Sequence, residues 1–332
     1  CDGREDAMTQ RLKPFFGQWR QCAALPDGAL ADLVHGDRVD ILIDLIGYTT
    51  RPRIGAFAAR PAPVQVSWLG YFATTGLDRM DYVLADPLCL PPEADQLYTE
   101  QVWRLPRTRL CLTPPGEEIA VGPLPARANG HVTFGCFNNL SKVNDLVLAA
   151  WSRILAALPD SRLLIKTQEL AVESSAQAFR QRLEQAGIST HRVRFEPGSD
   201  RRAYLDSYNG IDIALDPFPY PGGTTTAESL WMGVPVLTLA GQTMLSRQGL
   251  GLLVNAGLPD WVAHSTDEYV NKAVAFASDL DALARLRQGL RAQVLASPVF
   301  DADRFADDLN EALRGMWQRW CESQQTNAPA MP

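Results

Sequence analysis

From Val132 to Ser278 the chain repeats one pattern, a short and almost wholly apolar run followed by a stretch with helical spacing. Val132–Phe137, Arg162–Lys166, Val193–Glu196, Asp212–Leu215, Val234–Leu239 and Trp261–Ala263 read as strands. Asp145–Leu158, Glu173–Ala186, Asp200–Asn209, Thr224–Met232, Ser246–Ala256 and Asp267–Ser278 read as the helices that follow them. Strands without polar alternation are buried on both faces, as in a parallel sheet covered by helices on each side. Six of them complete a doubly wound α/β domain, a fold that binds ligands beyond the carboxyl ends of its strands.

The preceding part is shorter. Val39–Ile46 and Val64–Gly70 read as buried strands, and Tyr82–Ala85 and Val102–Leu105 as shorter ones, after a polar, helix-like opening over Cys1–Trp19. Residues 1–112 therefore read as a partial Rossmann-like domain, N-terminally truncated, whose opening strands are missing. The Pro- and Gly-rich residues 113–130 read as a linker, and residues 131–300 as the second Rossmann-like domain. Over Asp301–Cys321, the side chains Phe305, Leu309, Leu313, Met316, Trp317 and Trp320 share one helical face, so residues 301–322 read as a packing helix. Residues 323–332 read as a disordered tail.

At 332 residues and 46% hydrophobic content, the chain has enough apolar side chains for two cores. A net charge of −7 gives no general attraction to nucleic acid or to an anionic membrane, and no apolar run is long enough to span a bilayer. The six cysteines form no C-x-x-C pair and the histidines number only four, which speaks against a zinc site. The cysteines read as reduced, mostly buried side chains of a cytoplasmic protein.

Four stretches carry polar groups at strand ends. In the first, Ile211–Gly233, a strand ends at Asp216, a Pro-rich turn follows, and Gly222-Gly223 leads into a helix opened by Thr224, Thr225 and Thr226. Glycines allow close backbone approach, and a helix start offers unpaired N–H groups and a positive dipole end. With the threonine hydroxyls, this suits a diphosphate, and Glu228 one turn on suits ribose hydroxyls. A well-capped helix after a tight turn reads the same way. In the second, Phe137–Lys142, Asn138 and Asn139 offer amides and Lys142 a cation able to neutralise a leaving diphosphate, or simply to sit in solvent. In the third, Trp68–Asp86, the residues Gly70, Thr74, Thr75 and Gly76 make a polar loop that suits an acceptor cleft or an ordinary connection. The fourth, Asp44–Thr50, makes Asp44 a candidate catalytic carboxylate. None of the four contains His, so a general base must be a carboxylate, a water or a group from elsewhere.

Taken together, Arg60–Asp86, Thr133–Lys142, Asp212–Leu239 and Ser246–Leu258 resemble the catalytic region of protein O-GlcNAc transferases and the related SPINDLY proteins. The resemblance runs from about Leu30 to about Trp320. It implies a GT-B fold, two Rossmann-like domains facing a cleft, with the nucleotide held mainly by the second. It also implies that Lys142 and Asn139 contact the donor diphosphate, that Thr224 and Thr225 bind it with Gly223 and Thr226 beside them, and that Glu228 contacts the ribose. Tyr204 stands where many relatives have a base-stacking His, and Gly223 where O-GlcNAc transferases have another. Tyr71-Phe72-Ala73-Thr74 replaces the usual Tyr-Pro-Gly-Thr. The family's opening strand, its His-bearing loop and its tetratricopeptide repeats have no counterpart in these residues.

The implied reaction moves N-acetylglucosamine from UDP-GlcNAc to Ser or Thr of proteins; with no D-x-D-like metal motif in the donor region, no metal or other cofactor is required if Lys142 and the helix dipole carry the leaving-group charge. Its partners are a nucleotide sugar and a protein or peptide acceptor. The alternatives are fucosyl transfer from GDP-fucose, as in SPINDLY-type sequences, transfer from UDP-glucose, and a truncated non-catalytic nucleotide-sugar-binding module.

Overall fold

The computed structural model describes residues 5–326. The chain forms two compact units. One holds the residues up to Leu84, Ala94–Trp103 and those from Asn310 on, and the other holds Ala85–Glu93 and Arg104–Leu309.

The first unit opens with α1 (Ala7–Leu12) and α2 (Asp27–Gly36). Its sheet is built from β1 (Ile41–Asp44), β2 (Val64–Ser67), β3 (Tyr82–Ala85) and β4 (Gln101–Arg104), with α3 (Ile54–Ala58) between the first two. The strand order is β1-β2-β3-β4, and β1, β2 and β3 run parallel. The interior strands β2 and β3 are buried along their whole length, as parallel pairing with covered faces requires.

The second unit begins with α4 (Pro125–Asn129) and continues β5 (Thr133–Cys136), α5 (Asp145–Ala157), β6 (Arg162–Lys166), α6 (Glu173–Gln185), β7 (Val193–Glu196) and α7 (Arg201–Asp206). Then come β8 (Ile213–Leu215), α8 (Thr224–Trp231), β9 (Val236–Leu239), α9 (Gln248–Asn255), β10 (Val262–Ala263), α10 (Thr266–Ser278) and α11 (Leu280–Leu295). The strand order is β10-β9-β8-β5-β6-β7, with every pair parallel. The chain winds outward from β5 through β6 to β7, returns to set β8 beside β5, and winds the other way. Strand order reverses between β5 and β8, which is where a doubly wound sheet opens a crevice for ligand.

Helix starts follow their caps. Asn144 accepts from the Val147 N–H, Asp200 from Ala203, Ser265 from Glu268 and Asp279 from Ala282. The core is continuous from β5 to α11 and contains the fully buried Trp151 and Phe134.

Several expectations need correction. Residues 113–130 are not a free linker. Ile119, Leu124 and Ala126 lie in the second unit's core, α4 forms there, and Asp212 accepts from the N–H groups of Ala126 and Thr133 at 2.9 and 2.8 Å. The unit boundary also falls earlier than residue 112. Asp86 accepts the Arg109 N–H at 2.9 Å, which ties both strand exits to the second unit. Helix α11 was not foreseen, although Leu283, Arg287, Leu290 and Val294 mark its buried stripe. The last helix, α12 (Ala302–Thr326), passes Ser323, where the disordered tail was expected to begin; the remaining residues of that tail lie outside those described. In the first unit, α12 packs Gly315 against Trp103 and sets Arg319 over that ring, 4.5 Å from its centroid. Among the described residues of the opening stretch, the helical parts are Ala7–Leu12 and a 3₁₀ turn over Lys13–Phe15. Cys89, Cys111, Cys136 and Cys321 are free, as expected, but Cys22 is disulfide-bonded.

Candidate functional site

The two strands that meet at the reversal carry the two polar motifs on their exits. β5 leads to Phe137–Lys142, and β8 leads to Asp216 and the turn before α8. Three hydrogen bonds join these exits. Lys142 Nζ donates to the Pro221 carbonyl at 3.0 Å, Asn144 Nδ2 to the Phe218 carbonyl at 2.7 Å, and Thr225 Oγ1 to Asn138 Oδ1 at 3.1 Å. Lys142 also reaches Asn138 Oδ1 at 3.4 Å and lies 4.0 Å from the centroid of the Tyr220 ring. An ammonium has three N–H donors, so this arrangement holds the cation in place and still leaves it able to meet an anion. Burial pushes the Lys142 pKa down, and the nearby Asp216 carboxylate opposes that shift.

Asp216 organises the turn from beneath. It is buried, and it accepts from the Gly222 N–H at 2.7 Å and from Thr238 Oγ1 at 3.0 Å. Burial pushes its pKa up to about 6, against the lowering effect of those two bonds and of Lys142. A Cβ on Gly222 would fall 2.4 Å from Thr225 Oγ1 and 2.5 Å from Thr226 Oγ1, so only glycine lets the turn lie this close to the helix start. No side chain caps α8. Its first-turn N–H groups have no intrahelical acceptor, which is the geometry of an anion site on a helix dipole.

The three threonines expected to present hydroxyls do not behave alike. Thr224 is exposed at the mouth of the turn. The Thr225 hydroxyl is spent on Asn138. Thr226 is buried, and its hydroxyl is withdrawn from solvent with no hydrogen-bond partner among the described residues. Of the two asparagines, Asn138 is buried within the cluster, whereas Asn139 is exposed.

Glu228 is nearly buried and already engaged. Its Oε1 accepts from Arg201 Nη1 at 2.5 Å and its Oε2 from the Tyr204 hydroxyl at 3.1 Å. A carboxylate has about four lone-pair sites, so two remain for other donors. Tyr204 is half-buried; its hydroxyl lies 3.2 Å from that of Tyr208, and its ring centroid 5.9 Å from that of Phe137. Burial, with Glu228 beside it, drives the Tyr204 pKa well above that of a free phenol, so it stays a neutral hydrogen-bond donor.

The candidates of the first unit are structural in this geometry. Asp44 is buried, and its carboxylate accepts from the N–H groups of Ile46 and Gly47 at 3.0 Å, which closes the loop after β1. Gly70 is required because a Cβ would fall 2.3 Å from the Leu45 carbonyl oxygen. Glu100, unnoticed in the sequence, anchors the polar loop. It accepts from Thr74 Oγ1 at 2.7 Å and from the Thr75 N–H at 2.6 Å, and it also bonds the Thr75 hydroxyl.

Asp216, Arg201 and Gln248 are the site residues to which the sequence reading gave no role. A carboxylate closing a buried strand just before a Gly-rich turn is a usable signal for Asp216; the other two are assembled by distant contacts.

The sequence model of glycosyl transferase family 41 matches residues 20–111 and 123–309. The chain belongs to glycosyl transferase family 41. It is 42% identical over 333 residues to a protein of Hordeum vulgare named probable UDP-N-acetylglucosamine–peptide N-acetylglucosaminyltransferase SPINDLY, covering 99% of this chain and 35% of that protein. To the Arabidopsis thaliana protein named SEC it is 30% identical over 325 residues, covering 95% of this chain and 33% of that protein. This family 41 chain thus spans about a third of the length of these curated relatives. A solved mutant of the Thermobaculum terrenum O-GlcNAc transferase aligns at a TM-score of 0.91 and 41% identity, over 97% of this chain and 61% of that one. An Anabaena protein solved with UDP and glucose, 13% identical at a TM-score of 0.60 over 94% of this chain and 90% of that one, shares the fold alone. The fold is that of the GT-B glycosyltransferases, with two α/β units each built on a parallel sheet. Among the described residues no helix is long and apolar enough to cross a membrane.

Proposed function

We propose that this family 41 protein transfers N-acetylglucosamine from UDP-GlcNAc to Ser or Thr hydroxyls of intracellular proteins, its donor diphosphate seated between Lys142 and the start of α8. The observation that carries this reading is the convergence, at the strand reversal, of a held cation, a glycine turn and an uncapped helix start. The acceptor oxygen attacks the anomeric carbon as the bond to the diphosphate breaks. Negative charge builds on the departing phosphate, where Lys142, the Thr224 hydroxyl and the first-turn N–H groups of α8 oppose it. Preorganised donors of this kind are among the largest contributions to catalysis. In this reading the charge is met by protein groups, with no call on a metal. With Asp44 committed to backbone N–H groups, the acceptor's proton passes to the donor phosphate. Glu228, braced by Arg201 and Tyr204, takes the ribose hydroxyls on its remaining lone pairs.

Fucosyl transfer from GDP-fucose is the second reading. It is favoured by Gly223 in place of a histidine. Radiolabelled transfer from UDP-GlcNAc and from GDP-fucose to cell-extract proteins separates the two. Lys142→Ala should slow whichever transfer is found by a factor on the order of 10² to 10³. A near-wild-type rate in that variant would remove Lys142 from the mechanism.

A further inference from the structure

Lys142, Asp216 and the helix start do not account for the shape of the glycine turn by themselves. The remaining bond comes from Gln248, the first residue of α9, which is 4% exposed beneath the turn. Its Nε2 donates to the Gly222 carbonyl at 3.1 Å, and its Oε1 accepts from Arg109 Nη2 at 3.1 Å. Arg109 is wholly buried, and its backbone N–H is fixed on Asp86 at 2.9 Å. A guanidinium has donors only, so the Gln248 oxygen must face Arg109 and the amide nitrogen must face Gly222. The amide orientation is therefore set by chemistry.

The two peptide planes of the turn are fixed in different ways. In the plane between Pro221 and Gly222, Lys142 holds the carbonyl and Asp216 holds the N–H. In the plane between Gly222 and Gly223, Gln248 holds the carbonyl. A trans peptide points its N–H opposite to its C=O. The Gly223 N–H is therefore aimed away from Gln248, out of the buried side of the turn. A Cβ on Gly223 would meet Gln248 Nε2 at 2.9 Å, so the amide is packed directly under this plane.

We infer that Gln248, braced by Arg109, is a positioning residue for the donor site: by capturing the Gly222 carbonyl it turns the Gly223 N–H toward the diphosphate. The inference rests on the reading of this turn as the diphosphate seat and adds a group that does not itself touch the ligand. Its effect falls on phosphate recognition and not on the nucleoside.

The test titrates the purified chain and two variants with UDP and with uridine, substituting GDP and guanosine if the wild type prefers them. Gln248→Met keeps the volume and removes both hydrogen bonds. Gln248→Glu keeps the shape and the partner for Arg109 but sets an acceptor against the Gly222 carbonyl, so it isolates the lost N–H and remains informative if the Met variant folds poorly. The diphosphate should bind about tenfold or more weakly to each variant, the size of one lost oriented hydrogen bond to a charged group, with nucleoside binding within about twofold of wild type. Unchanged diphosphate affinity, or a parallel loss of nucleoside affinity, overturns the positioning role. A wild type that binds neither nucleoside diphosphate overturns the seat itself, and the inference with it.

Discussion

Replacing Asp216 by Asn should change how the stability of the second unit depends on pH, and in a defined direction. The carboxyl is fully buried, and its pKa is pushed up to about 6 by burial, from an unfolded value of 3.8. The folded state therefore holds this proton more tightly than the unfolded state. The associated stability is complete below about pH 4 and is lost as pH rises through about 6. Integrating a site with these two values between pH 5 and pH 8 gives a loss on the order of 1 kcal/mol. Asn is isosteric and cannot ionise; it still accepts from Gly222, and the Thr238 hydroxyl can turn to accept from its amide. Urea unfolding of both proteins at pH 5, 6, 7 and 8, followed by circular dichroism, yields the difference between them, from which other titrating groups cancel. Wild type minus variant should fall by roughly 1 kcal/mol from pH 5 to pH 8, with most of the change falling between pH 5 and pH 6. A difference that stays flat across this range would show that Asp216 is already ionised at pH 5. The picture of a desolvated carboxyl organising the turn would then be wrong.

Three further outcomes test separate parts of the structure. Gly222→Ala forces a methyl against the hydroxyls of Thr225 and Thr226 and should cost about 1 to 3 kcal/mol in denaturant unfolding, together with weaker nucleoside diphosphate binding. Glu228→Gln should reduce the preference for UDP over 2′-deoxy-UDP in competition binding, because one acceptor of the ribose hydroxyls is lost while the Tyr204 contact can persist. Trp151→Ala empties a wholly buried site on α5, where the indole N–H faces the Tyr269 hydroxyl of α10, and should lower unfolding free energy by about 3 to 5 kcal/mol, with a tryptophan fluorescence change that reports the same transition.

How far the sequence foretold this structure depended on what each feature is made of. The six strands of the second unit were legible because both of their faces are buried, so they read as unbroken apolar runs. Their ends were overdrawn by a residue or two, as at Val234, because apolar side chains continue past the last ladder bond. α11 escaped because its buried face includes Arg287, which bonds the carbonyls of Gly122, Ile211 and Tyr208 and so lies in the core under a polar label. At the site, the glycine turn and Lys142 were visible as local chemistry. The choice of Asn138 over Asn139 and the reach of Gln248 to Arg109 were not, since each is decided by neighbours tens to hundreds of residues away. The apparent linker misled because its Pro and Gly residues mark irregular backbone, which is not the same as detached backbone.

The three hydrogen bonds that join the exits of β5 and β8 also say something about the ligand. They span a seam, since the halves on either side, β5 to β7 and β8 to β10, are separate windings of the chain. On the proposed reading, a nucleotide sugar seated there would act as a clasp across both windings. By mass action, ligand at a hundred times its dissociation constant would add about 2.7 kcal/mol to the stability of the closed seam. Amide hydrogens in α5 and α9, which lie on opposite windings, should then slow their exchange together when donor is added, though neither helix is expected to contact the sugar.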